Sequence, residues 1–156
     1  MNTAPLVQKI FSKPLVLVII PTVYCLVMIL AKWGVALPLD ALWFFIGGLI
    51  GTYIITIAEH IVPFTPSPFR TQVFVIGLVI LALYTITSTR EYIAIGMVTL
   101  TLLSMFLFQI SEWKVRKNLD SWYNFFFDHV SISLQKAGLI ALGVVFFIIS
   151  IAFIFS

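Results

Sequence analysis

Polar side chains along this chain fall into short intervals, and the stretches between them are almost continuously apolar. Five such stretches occur, at residues 14–31, 39–58, 73–87, 92–110 and 137–155. A bilayer core about 30 Å thick is crossed by about 20 helical residues. Four of the stretches reach or nearly reach that length, and the third is somewhat short. Inside a bilayer, backbone N–H and C=O groups must bond within their own segment, so each stretch is expected to be a helix. With their flanks, the predicted spans are 14–31, 39–62, 71–88, 91–110 and 137–155.

The pattern changes between residues 111 and 136. Leu119, Trp122, Tyr123, Phe126 and Val130 recur at helical spacing, and Asp120, Asn124, Asp128 and Ser131 follow on another face. This periodicity predicts an amphipathic helix over about 112–134. Lys114, Arg116 and Lys117 lie at its start, so a helix resting in the headgroup region is expected, with Trp113, Trp122 and Tyr123 as interfacial aromatics. The fold class is therefore all-α: a polytopic membrane bundle of five transmembrane helices plus one interfacial helix, in one domain over 1–156.

Small residues single out the second span. Gly47 and Gly51 are one turn apart, and Gly48, Thr52 and Thr56 form a second row. Such spacing lets helix backbones approach closely in lipid, so this helix is expected at the centre of the bundle. Pro38 and Asp40 mark its start, and the prolines at 63, 66 and 68 end it. Thr89 is expected to cap the fourth span, with Glu91 in its first turn.

Charge orients the bundle. With five crossings, seven of the nine basic residues (Lys9, Lys13, Arg70, Lys114, Arg116, Lys117 and Lys136) share one face, and two (Lys32 and Arg90) share the other. The positive-inside rule then puts the N-terminus in the cytoplasm and the C-terminus outside. Lys32 and Trp33 read as an interface anchor, so the first helix is expected to be retained rather than cleaved. A bacterial cytoplasmic membrane suits this compact topology.

Composition reinforces the class: 62% of residues are hydrophobic and 10% charged, with a mean hydropathy of +1.15. Soluble domains carry about 25% charged residues. Cys25 is the one cysteine, so no intramolecular disulfide can form, and it reads as a packing residue. There is no glycine-rich phosphate loop, serine nucleophile elbow or zincin motif. Nucleic acid is not an expected partner, since the basic cluster lies against the membrane. No catalytic residue, metal ligand or cofactor is assigned. The expected partners are the lipid bilayer and either further copies of the chain or a larger membrane complex.

One polar set converges by topology on the cytoplasmic face: Glu59, His60, Arg70, Gln109 and Glu112, with Asp120, Asp128 and His129 in the adjacent segment. Carboxylates and imidazoles can bind a divalent metal. Glu59 and His60 are adjacent, however, and point about 100° apart on a helix. The simpler expectation is that Glu59 pairs with Arg70 across the proline loop.

Helix two, with Gly47-Gly48-Leu49-Ile50-Gly51 running into Glu59-His60, resembles the small bacterial inner-membrane proteins described as membrane-bound metal-dependent hydrolases. In that family a glycine-bearing helix leads to a Pro-Asp-x-Asp-His signature, a His-Arg pair follows, and a later helix carries His-x-x-x-Asp. Here Glu59 and His60 match the last two signature positions in kind. Thr56 and Ile57 replace the proline and the first aspartate, Phe69-Arg70 keeps only the arginine, and the later positions fall near Ser104 and Phe108. The resemblance covers roughly residues 47–109. It implies a fold relative in which most metal ligands are absent and the chemistry is lost or changed. Three functional readings follow: a non-enzymatic scaffold, assembly factor or complex subunit; a divergent hydrolase using Glu59 and His60 with Gln109 or Glu112; and a carrier of a lipid or other apolar ligand.

Overall fold

A computed structural model describes residues 14–61, 67–123 and 130–156, the side chains of 14–18 excepted. Among the described residues the chain is helical and contains no strand. The elements are α1 (Pro14–Trp33), α2 (Leu39–Ile61), α3 (Gln72–Ser88), α4 (Tyr92–Arg116), α5 (Asp120–Tyr123) and α6 (Ile132–Phe155). Lys9, Lys13, the prolines at 63 and 66, and the polar positions 124, 128 and 129 lie outside the described residues.

Among the described residues three helices, α2, α4 and α6, are long and apolar enough to cross a membrane, against the five expected from sequence. The reason is length. The 17 residues of α3 rise about 26 Å at 1.5 Å each, short of the roughly 30 Å hydrocarbon core. α1 itself runs 20 residues, from Pro14 to Trp33, with its side chains described from Ile19 onward.

Contacts fix the directions of the helices. Trp33 packs on Phe44 and Cys25 faces Gly48, so α1 and α2 are antiparallel. Gln72 meets Gln109, which makes α3 antiparallel to α4. Phe106 stacks on Phe146 while Gln135 bonds Leu119, which reverses α6 relative to α4. Each long helix thus runs back alongside the one before it. One end of the bundle holds Lys32, Asp40, Arg90 and Phe153. The other holds Glu59, Arg70, Gln109, Glu112 and Gln135.

The centre is α4, a correction to the expectation that α2 is central. The apolar window of α4 is 67% buried, against 33% for α2 and 28% for α6. α2 and α4 run parallel and touch backbone to backbone. A Cβ added at Gly47 would collide with the Ile93 carbonyl, one at Gly51 with that of Met97, and one at Gly96 with that of Phe44. Glycine is required here because nothing larger than hydrogen fits between the two backbones. The Thr101 hydroxyl uses the proximity: its Oγ1 lies 3.0 Å from the Gly51 carbonyl and 2.7 Å from that of Met97. Gly48 instead faces Cys25 and Leu100, and Thr52 donates to the Gly48 carbonyl at 2.8 Å.

Helix ends follow local chemistry. Thr71 caps α3, its Oγ1 accepting from the Phe74 N–H at 3.3 Å. Thr89, expected to cap the fourth span, instead closes α3: its N–H and its hydroxyl both reach the Thr85 carbonyl. Glu91 holds the N-cap position of α4 with no side-chain cap bond. α4 runs on to Arg116 and stops where Lys117 turns left-handed, at φ 57°. Hence the single amphipathic helix expected over 112–134 does not form. Residues 112–116 extend α4, 118 and 119 are non-helical, α5 is described over 120–123, and 132–134 begin α6.

Candidate functional site

At the end of the bundle opposite Lys32, α2 and α3 bring Glu59 and Arg70 together across a short connection. Arg70 Nε and Nη2 donate to the two Glu59 oxygens at 2.8 and 2.7 Å, and Ser67 adds a third bond at 2.7 Å. The fork matches a planar guanidinium to a planar carboxylate, the geometry in which such pairs are strongest. The Arg70 guanidinium also lies 5.2 Å from the centre of the Phe108 ring, which ties the pair to α4.

One turn further along α4, Glu112 gathers three donors. Trp122 Nε1 reaches one oxygen at 2.8 Å. Ser121 and Arg116 reach the other at 2.7 and 3.1 Å. On α6, fully buried Gln135 does the same for the other side of the connecting segment. Its Oε1 accepts from the Leu119 N–H at 2.6 Å, and its Nε2 donates to Asp120 Oδ1 at 2.6 Å and to the Val130 carbonyl at 2.9 Å. Leu119 and Trp122 are driven into the bundle end, at 0% and 1% exposure. Trp122 is therefore a core residue and not the interfacial aromatic expected from its position. The apolar face of 119–123 is real, but protein covers it.

Gln109 lies between these clusters. It is fully buried, with Gln72 Nε2 at 3.4 Å from its Oε1 and no partner for its own Nε2. Tyr123 bonds Gln72 in turn. Burial pushes the Tyr123 hydroxyl above the ordinary tyrosine range, and the Gln72 bond works against that shift.

Of the five candidate residues, Glu59 and Arg70 form one unit, Gln109 sits beside it, and Glu112 belongs to a separate clasp. His60 is exposed and joins none of them. Both Glu59 oxygens face a guanidinium, whose positive charge would repel a cation, so this carboxylate does not fit the role of metal ligand. Among the described residues, no three His, Cys, Asp or Glu side chains gather to hold a metal ion. Lys114, Lys117 and Trp113 remain at least partly exposed at the end of α4. Sequence reasoning missed Gln135 as the main tether of the connecting segment. A glutamine one turn into an otherwise apolar helix was the available signal.

The opposite end is closed differently. Lys32 Nζ donates to the Phe153 carbonyl at 2.7 Å and to Ser156 Oγ at 3.2 Å, capping α6 from α1. It lies 4.7 Å from the Phe153 ring centre and 5.8 Å from those of Trp33 and Tyr92. Mid-bundle, Tyr24 on α1 bonds Ser150 on α6 at 2.8 Å. No family model, curated protein or solved structure matches this chain.

Proposed function

We propose that the chain is a multi-pass integral membrane protein acting as a non-enzymatic scaffold or as a subunit of a larger complex. On this reading all five long helices cross a bacterial cytoplasmic membrane, with the Glu59 end and the N-terminus inside and the C-terminus outside. The alternating helix directions support five crossings, and the shorter α3 meets the bilayer by local thinning or flanking polar groups. The seven-to-two division of basic residues supports the orientation.

One observation carries the functional reading. The side chains an enzymatic site would draw on are engaged with one another as clasps: Glu59 by Arg70 and Ser67, Glu112 by three donors, and Gln135 by the backbone it tethers. Around them the outward faces are broadly apolar, with Ile80 at 63%, Phe147 at 64% and Leu30 at 56% exposure. Purification in mild detergent with chemical cross-linking tests the proposal. A homo-oligomer or a stoichiometric partner is expected, and a strictly monomeric protein with no co-purifying partner refutes it.

A further inference from the structure

An open cleft of about 250 Å³ lies at the Lys32 end, between the start of α2 and the α3–α4 turn. Its walls are Asp40, Trp43, Arg90, Glu91, Tyr92 and Ile93. Asp40, Arg90 and Glu91 are exposed, and none forms an ion pair among the described residues. This contrasts with the other end, where Glu59, Arg70, Glu112 and Arg116 all have charged partners. The Glu91 carboxylate does not cap α4, so it is not held by the local backbone. Trp43 is 44% exposed, and Tyr92 lines the cleft while its ring also faces Lys32 Nζ.

The chemistry of the walls names a ligand class. Two carboxylates beside two aromatic rings attract an ammonium group, through charge and through the negative faces of the rings. A guanidinium in the same cleft attracts a phosphate. The cavity falls just below the about 300–1,000 Å³ of typical small-molecule sites, which suits a compact polar group. Trp43 and Tyr92 lie at a helix boundary, the depth at which interfacial aromatics meet headgroups. We infer that this cleft binds the zwitterionic headgroup of an amine-bearing phospholipid, with the ammonium between Asp40 and Glu91 and the phosphate on Arg90. The inference rests on the membrane reading above and is independent of the scaffold role.

Full-length protein in detergent is titrated by native mass spectrometry with dioctanoyl phosphatidylethanolamine, phosphatidylcholine and phosphatidylglycerol, and separately with free phosphoethanolamine. Both amine lipids are expected to bind about three- to tenfold more tightly than phosphatidylglycerol, as suits one or two exposed charge pairs. Asp40→Lys is expected to reverse that order, and Arg90→Gln to weaken all three lipids. Because these side chains are exposed, the variants leave the packed bundle untouched, and the reversal is a gain that misfolding cannot imitate. Equal binding of phosphatidylglycerol, an unchanged order in Asp40→Lys, or equal binding of free phosphoethanolamine overturns the headgroup site. An alkaline carbonate wash of membranes separates the two claims. Release of the protein refutes the membrane reading and the site with it, whereas retention together with an unselective titration refutes the site alone.

Discussion

Substituting alanine at Gly51 tests the packing argument most directly. A Cβ there would lie 2.8 Å from the Met97 carbonyl carbon and 2.9 Å from the Met97 Cα, and closer still to the carbonyl oxygen. Ordinary carbon contacts are about 3.5–4.0 Å, and the opposing atoms are backbone, which cannot rotate away. α2 and α4 must therefore separate by about 1 Å. Separation also stretches the bond between Thr101 Oγ1 and the Gly51 carbonyl from 3.0 Å to about 4 Å, beyond hydrogen-bonding range. Overpacking of this kind costs about 1–3 kcal/mol, and an interhelical hydrogen bond in a bilayer about 0.6 kcal/mol. Alanine returns up to about 1 kcal/mol through its better helix propensity. The net expected loss is about 1–3 kcal/mol.

Gly77 supplies the internal control. It lies on an exposed face of α3, and a Cβ there meets nothing within 4 Å. Gly77→Ala should feel only the propensity gain and stabilise by up to about 1 kcal/mol. The same chemical change at two glycines thus moves stability in opposite directions, about 2–4 kcal/mol apart by the estimates above. Reversible unfolding in mixed micelles, titrated with dodecyl sulfate and followed by circular dichroism, measures the difference. Equal stability of the two variants within about 0.5 kcal/mol, the scatter of inconsequential surface changes, would refute the backbone contact.

Other substitutions probe the clasps. Gln135→Leu strands the buried Leu119 N–H and is expected to cost about 1–3 kcal/mol, with faster proteolysis between 117 and 123 as the local readout. Arg70→Leu removes a pair whose side chains are 23% and 19% exposed, and a loss of about 1 kcal/mol is expected in the same micelle titration. Glu112→Gln replaces an acceptor of three donors and should shift Trp122 emission to the red as its indole N–H is released. Tyr123 titrates above the ordinary tyrosine range when folded. Its contribution is therefore complete below the ordinary range and is lost as pH rises from there through the raised folded value. A Tyr123→Phe variant should show a correspondingly smaller loss of stability at alkaline pH, and identical pH profiles would exclude this contribution.

Much of the architecture was legible because long, nearly uninterrupted apolar stretches leave a chain few options. The apolar stretches had to be helices, and the Gly47/Gly51 spacing announced a close backbone approach. The Glu59–Arg70 pair followed from a short connection between two helix ends. What escaped the sequence concerns which apolar partner covers an apolar face. Trp122 and Leu119 have the same pattern whether they meet acyl chains or protein, and only the Gln135 and Glu112 tethers decide for protein. The break at Lys117 was invisible for a different reason, since no glycine marks the left-handed turn. The centrality of α4 had a signal that went unused. Thr99, Thr101 and Ser104 place three hydroxyls near the middle of this helix, and buried hydroxyls there indicate cover by neighbouring helices.

These features explain why the two ends of the bundle differ. At the Glu59 end, Glu59, Glu112 and Gln135 are engaged within the chain, and their bonds join successive elements: α2 to α3, α4 to α5, and α6 to the connecting segment. Such bonds fix the order of the helices, and breaking the Gln135 bond leaves the buried Leu119 N–H without a partner. At the Lys32 end a single cation caps α6, and the remaining charges, Asp40, Arg90 and Glu91, stay open around a cleft. These three side chains are exposed, where pairing with one another is worth little, so they stay available to an incoming group. Their separation across a cavity flanked by Trp43 and Tyr92 is therefore the feature of this fold that points outward, toward a ligand carrying both signs of charge.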